Sequence, residues 1–128
     1  MSVGTLDAVS DLHPAYDAYC RGMDLLKRGD AHQAVIALES AKRFEPEKGS
    51  IREALGRALL ASRAYGRAAE EFEKAVELAP TDHYAHYGLA RSLERLGRSA
   101  QARRHYRLAR CFGSTLVSPS QLPVNSDD

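Results

Sequence analysis

The chain repeats itself every 34 residues. Gly22, Gly56 and Ala90 fall in register at that shift, and so do Leu25, Leu59 and Leu93. Ala34, Ala68 and Ala102 follow, then Leu38, Phe72 and Tyr106, then Ala41, Ala75 and Ala109. Pro46 and Pro80 also share one slot, with Ser114 in its third copy. A period of this length marks a stacked-repeat architecture, in which each unit buries its apolar face only against its neighbours.

Each unit reads as two amphipathic helices. In the second, Ile51, Ala54, Leu55, Ala58 and Leu59 recur at i, i+3, i+4, i+7 and i+8, one face of a helix. A turn over Arg63 to Gly66 leads to Ala68, Ala69, Phe72, Ala75, Val76 and Ala79, a second helix stopped by Pro80. The first unit predicts helices from Tyr16 to Arg28 and from Ala31 to Phe44, with a turn at Gly29 and Asp30. The third predicts Tyr84 to Leu96 and Ala100 to Phe112, with a turn at Gly97 and Gly113 as the closing residue. Glycine inside a helix costs about 1 kcal/mol against alanine. Gly22, Gly56 and Ala90 therefore mark places where helices approach closely, with Ala34, Ala68 and Ala102 as the expected partners. Leu38, Phe72 and Tyr106 are expected to fill the space between units.

These landmarks resemble the tetratricopeptide repeat family. The second unit carries the pattern most fully, as Leu55-Gly56-x-x-Leu59, Ala68-x-x-x-Phe72-x-x-Ala75 and Pro80. The first has Arg21-Gly22-x-x-Leu25, Ala34-x-x-x-Leu38-x-x-Ala41 and Pro46, and the third Leu89-Ala90-x-x-Leu93 and Ala102-x-x-x-Tyr106-x-x-Ala109. The family's tryptophan slot holds Ala18, Arg52 and His86 instead, and its first-helix tyrosine slot holds leucine throughout. The resemblance implies an all-α solenoid of three helix-turn-helix repeats wound as a right-handed superhelix. It covers residues 15–114, divided at 15–48, 49–82 and 83–114. Residues 1–14 are read as an N-terminal extension, where Leu6, Val9 and Leu12 suggest a short helix. Residues 115–128, with two prolines and many Ser, Asn and Asp, read as a disordered tail. No full helix follows Phe112, so the apolar edge at Tyr106, Ala109 and Phe112 needs cover from the tail, a second copy or a partner.

Composition narrows the function. A formal net charge of +1 gives the whole molecule no strong pull toward nucleic acid or membrane. No stretch approaches the roughly 18 apolar residues of a membrane span. The first residues lack the basic-then-apolar form of a leader, so the chain is expected to be cytoplasmic. Arginine outnumbers lysine 14 to 4, the bias of a GC-rich bacterial genome. Cys20 and Cys111 stand in no CxxC pattern and are expected to be small buried or half-buried fillers. There is no P-loop, GxSxG, HExxH or glycine-rich phosphate loop, so neither an enzyme nor a cofactor is expected. His83 and His86 lie at i, i+3 without a third ligand; His86 is expected to pack in the tryptophan slot and His83 to be on the surface. Glu70, Glu71 and Glu73 read as a solvated face.

The resemblance also implies that the first helix of each repeat lines a concave groove. That face would carry Tyr16, Tyr19, Met23 and Lys27, then Glu53, Arg57 and Leu60, then Tyr84, Tyr87, Arg91 and Arg95. It holds four of the six tyrosines, and tyrosine and arginine are common interface anchors. One family subclass grips a C-terminal carboxylate with Lys, Asn and Arg. Those positions here are Tyr19, Met23, Ala54, Tyr84 and Gly88, which offer no suitable donors. The third repeat sets seven arginines (91, 95, 98, 103, 104, 107 and 110) against Glu94 alone. The expected function is a non-catalytic adaptor that binds an acidic, aromatic or apolar segment of another protein in the groove. The alternatives are a homo-oligomer joined through the C-terminal edge and nucleic-acid contact through the arginines. Nucleic acid is the weaker, because the total charge is near neutral and no binding motif appears.

Overall fold

The structure is a computed structural model and describes residues 13–114. The short N-terminal helix and the disordered tail expected above lie outside the described residues. Six helices run through them: α1 (Pro14–Lys27), α2 (Ala31–Phe44), α3 (Gly49–Ala61), α4 (Tyr65–Leu78), α5 (His83–Arg95) and α6 (Ser99–Cys111). The second, Ala31–Phe44, has the expected bounds, and the other five start one to three residues earlier than the apolar pattern alone predicts. Helices start at their caps, and caps are polar or conformational rather than apolar. Pro14 opens α1, where a missing N–H is harmless. The Asp82 side chain accepts from the N–H groups of Tyr84 (3.0 Å) and Ala85 (3.4 Å) at the start of α5.

The turn inside each pair is the same turn made three times. Gly29, Arg63 and Gly97 all adopt positive φ, at +81°, +67° and +83°. The following N–H returns each time to a leucine carbonyl five residues back: Asp30 to Leu25, Ala64 to Leu59 and Arg98 to Leu93. This left-handed closure is natural for glycine and costs Arg63 about 1 kcal/mol or more. The expected turn at Arg63 to Gly66 is thus corrected. Its pivot is Arg63, and Gly66 lies inside α4.

Helices pack as the hairpins α1–α2, α3–α4 and α5–α6, and successive hairpins stack through α2–α3 and α4–α5. The backbones of the first helices also come together, α1 with α3 and α3 with α5, whereas those of α2, α4 and α6 stay further apart, so that α2 and α4 meet through long charged side chains. The stack is therefore drawn in along one side and splayed along the other, with α1, α3 and α5 facing inward.

Leu38 and Phe72 are fully buried, in the space between units as expected. The two glycines lie against these large residues. A Cβ on Gly22 would come 2.5 Å from Leu38 Cγ, and one on Gly56 would come 2.9 Å from the Phe72 ring. Glu71 also departs from expectation. It is buried, accepting from Lys42 of α2 at 2.9 Å and from Arg52 of α3 at 3.1 Å. Both cysteines are exposed rather than buried. At the C-terminal edge Tyr106 and Ala109 are buried, and Phe112 is 38% exposed.

Candidate partner-binding groove

The inward helices present side chains from α1, α3 and α5 along one continuous face. Two hollows occupy it and share Arg57. The first, about 600 Å³, lies between α1 and α3 and is lined by Tyr19, Cys20, Met23, Asp24, Leu26 and Lys27 with Arg57 and Ala61. The second, about 560 Å³, lies between α3 and α5 and is lined by Glu53, Arg57, Leu60, Tyr84, Tyr87, Gly88 and Arg91, with Phe72 behind them. A smaller hollow of about 240 Å³ holds Tyr16 and the other side of Tyr19, against Glu45, Lys48 and Ile51.

Ten of the eleven candidate groove residues therefore line one of three hollows on or beside this face. Arg95 does not. Its guanidinium lies 5.0 Å above the Tyr65 ring and donates to the Tyr65 hydroxyl at 2.9 Å, which ties α5 to α4. The tyrosine stripe is also divided. Tyr16 and Tyr84 are well exposed, at 66% and 56%. Tyr19 and Tyr87 are half-buried and pack against the core, Tyr87 edge-on to Tyr106 at 5.7 Å. These two serve the fold and the face at once.

Charge in the groove is lopsided. Lys27, Arg57 and Arg91 supply three cations against Asp24 and Glu53, Arg91 lying 3.5 Å from the Tyr87 hydroxyl, and Asp24 is paired with Arg28 at 3.0 Å. Glu53 is the carboxylate of the second hollow. Burial pushes it up to about 7; Arg57, 3.9 Å away, pulls it back only partly, and Asp82 raises it further. Near neutral pH the second hollow thus carries two arginines beside a half-neutral acid. Among the described residues no group of three or more His, Cys, Asp or Glu could hold a metal ion.

Gly88 was not read as a site residue, although a mid-helix glycine was its signal. A Cβ there would come 2.2 Å from the Phe72 ring, so this glycine lets Phe72 reach between α3 and α5. The repeat pattern marks Phe72 only as core. Its place behind the second hollow depends on the inter-repeat angle, which no local pattern encodes.

Inward first helices, splayed second helices and a turn recurring at each unit define a helical-repeat solenoid. The chain belongs to the tetratricopeptide repeat family, whose profile matches residues 19–83 and again 54–114. It is 38% identical over 88 residues to Superkiller complex protein 3 of Mus musculus, across 69% of this chain but 6% of that protein. It is 34% identical over 101 residues to an inactive TPR repeat-containing thioredoxin of Arabidopsis thaliana, across 79% of this chain and 14% of that protein. The chain thus spans only a small part of either relative. Among solved structures, the Arabidopsis OM64 TPR domain superposes with a TM-score of 0.79 at 16% identity, covering 81% of this chain and 86% of that one. The first TPR of Spaghetti (RPAP3), bound to HSP90 peptide SRMEEVD, gives 0.76 at 15% identity, covering 80% and 81%. Among the described residues no helix is long and apolar enough to cross a membrane.

Proposed function

We propose that this chain is an interaction adaptor that holds an acidic segment of another protein, with aromatic or apolar side chains between its acids, along the inward face. The pair of hollows joined at Arg57 supports this reading most. Their walls are Tyr19, Met23, Leu60, Tyr84 and Tyr87, and their charge is dominated by Lys27, Arg57 and Arg91. Apolar walls supply affinity by excluding water, and the cations set orientation and encounter rate.

The RPAP3 domain bears an acidic peptide in its solved complex. Here the positions that the family resemblance assigns to a terminal-carboxylate clamp are Tyr19, Met23, Ala54, Tyr84 and Gly88. None of them is cationic. The acidic segment would be read along its length by Lys27, Arg57 and Arg91, with no requirement for a free C-terminus.

Because Tyr19 and Tyr87 support the core, Tyr84 and Arg57 are the cleaner positions to change. An array of internal acidic-aromatic peptides, followed by titration of the strongest hit, tests the reading. Tyr84→Ala and Arg57→Ala should each weaken binding about tenfold, the size of one good interface anchor, with helical circular dichroism unchanged. Equal binding by wild type and both variants overturns it.

A further inference from the structure

The tryptophan slot of each repeat has a counterpart 19 residues further on, in the second helix of the same repeat. In the first repeat the two positions are Ala18 and Ala37, both buried. In the second, Arg52 donates through Nη1 to Glu71 at 3.1 Å and through Nε to the Pro46 carbonyl at 2.9 Å. In the third, His86 meets His105, Nδ1 to Nδ1 at 3.2 Å, and its Nε2 lies 2.8 Å from the Pro80 carbonyl. One clasp is thus built twice in the same register, each time reaching the proline of the preceding turn. The second repeat makes it with opposite charges and the third with two imidazoles.

The hydrogens in the third clasp follow from its partners. A carbonyl only accepts, so His86 Nε2 carries a hydrogen, and neutral His86 turns a bare Nδ1 to His105. His105 Nδ1 must then donate, and one hydrogen fills the contact. A first added proton enters at His105 Nε2 and charges a half-buried ring. A second would have to sit on His86 Nδ1, facing another N–H across 3.2 Å, on a ring only 3% exposed.

The surroundings give such charge little help. Arg104 of α6 bears on His105 with the same sign. The Phe112 ring stands 5.5 Å from that of His86. His83, one turn earlier on α5, has a buried Nδ1 without a hydrogen-bond partner among the described residues. Asp82 at the start of α5 caps that helix, and Glu94 accepts from the Tyr106 hydroxyl at 2.8 Å.

We propose that the His86–His105 pair is an acid-operated clasp that regulates the groove: charging both rings sets two N–H groups against each other, which parts α6 from α5 and loosens the helix that carries Tyr84, Tyr87 and Arg91. Its consequence for binding rests on the groove reading above, but the clasp can be tested without any partner.

Burial first, then His86, then Arg104 hold the His105 ring below the ordinary histidine value of 6.5. The unfolded chain therefore binds this proton more tightly than the folded one. Stability from the clasp is complete above that ordinary value and is lost as pH falls below it.

Ring-nitrogen NMR at about pH 7.5 should show His86 carrying its hydrogen on Nε2 and His105 on Nδ1. Between about pH 7.5 and about pH 5.5, amide protection in α6 should fall about tenfold more than in α2 or α3, after correction for intrinsic exchange. The double substitution His86→Arg with His105→Glu copies the clasp of the second repeat and should abolish that difference. The same tautomer on both rings, or α6 protection that follows the other helices through the pH range, overturns the proposal. So does a pH-dependent difference that persists in a folded double variant. If the double variant does not fold, the two wild-type measurements decide alone. A clasp that titrates while acidic peptides fail to bind would separate this inference from the groove reading.

Discussion

Glu53 is the groove side chain whose state depends most on where the fold puts it. In the sequence it is an ordinary helix glutamate four residues before Arg57. In the structure, burial between α3 and α5 lifts it to about 7. A carboxyl whose folded value lies above its unfolded value stabilises the fold below the unfolded value, and that stability is lost as pH rises through the folded one. Glutamine at this position carries no charge to desolvate. Glu53→Gln should therefore stabilise the protein by on the order of 1–2 kcal/mol at about pH 8, with the gain vanishing by about pH 4.5. Thermal melts of the two proteins across that range check this. A gain that is constant with pH would mean that Glu53 is not desolvated. The same position illustrates what residue-level reading can do. The family resemblance places Glu53 on the groove face, but the state of its proton is set by burial and by Asp82, which is distant in sequence.

Among the elements, the helix pairs follow local rules and their junctions do not. The apolar spacing of Ile51, Ala54, Leu55, Ala58 and Leu59 predicted a helix because it repeats every turn of that helix. The pivot at Arg63 went unread because an arginine carries no sign of positive φ; only its register with Gly29 and Gly97 reveals it. The burial of Glu71 is hidden in the sequence for a related reason. A run of glutamates on a second helix looks solvated until α2 and α3 bring Lys42 and Arg52 to it. Lys42 also pairs with Glu39, which Arg67 reaches from α4, so ion pairs link α2, α3 and α4. Removing one member of a largely buried pair strands its partners. Glu71→Ala should cost about 1–3 kcal/mol, seen as a lower urea midpoint with an unchanged slope. A loss below about 0.5 kcal/mol would class the network with ordinary surface pairs.

The whole molecule is held by contacts between repeats, because no single repeat can bury its own apolar face. Phe72 is the clearest case. It is fully buried, with Gly56 of its own repeat on one side and Gly88 of the next on the other. Phe72→Ala should cost about 3–5 kcal/mol, a large share of the roughly 5–15 kcal/mol typical of a domain. Because that loss falls on the joint, the third repeat should lose amide protection before the first. Hydrogen exchange under native conditions distinguishes this from a uniform loss across all six helices.

What the sequence determined by itself was the repeat, the two-helix unit and the identity of most core residues. These rest on spacing within a few turns of chain, and the same spacing is written three times. The inward direction of α1, α3 and α5 came from family resemblance, and most of the candidate groove residues were legible through it. Only the tertiary structure decided which tyrosines double as core, that Arg95 lies over Tyr65, that Glu71 is buried and that His86 finds His105. Each of these depends on how closely one repeat or one helix lies against the next. Between the second and third repeats that distance is set by Phe72 packing where Gly56 and Gly88 leave room, a contact across repeats that no local pattern encodes.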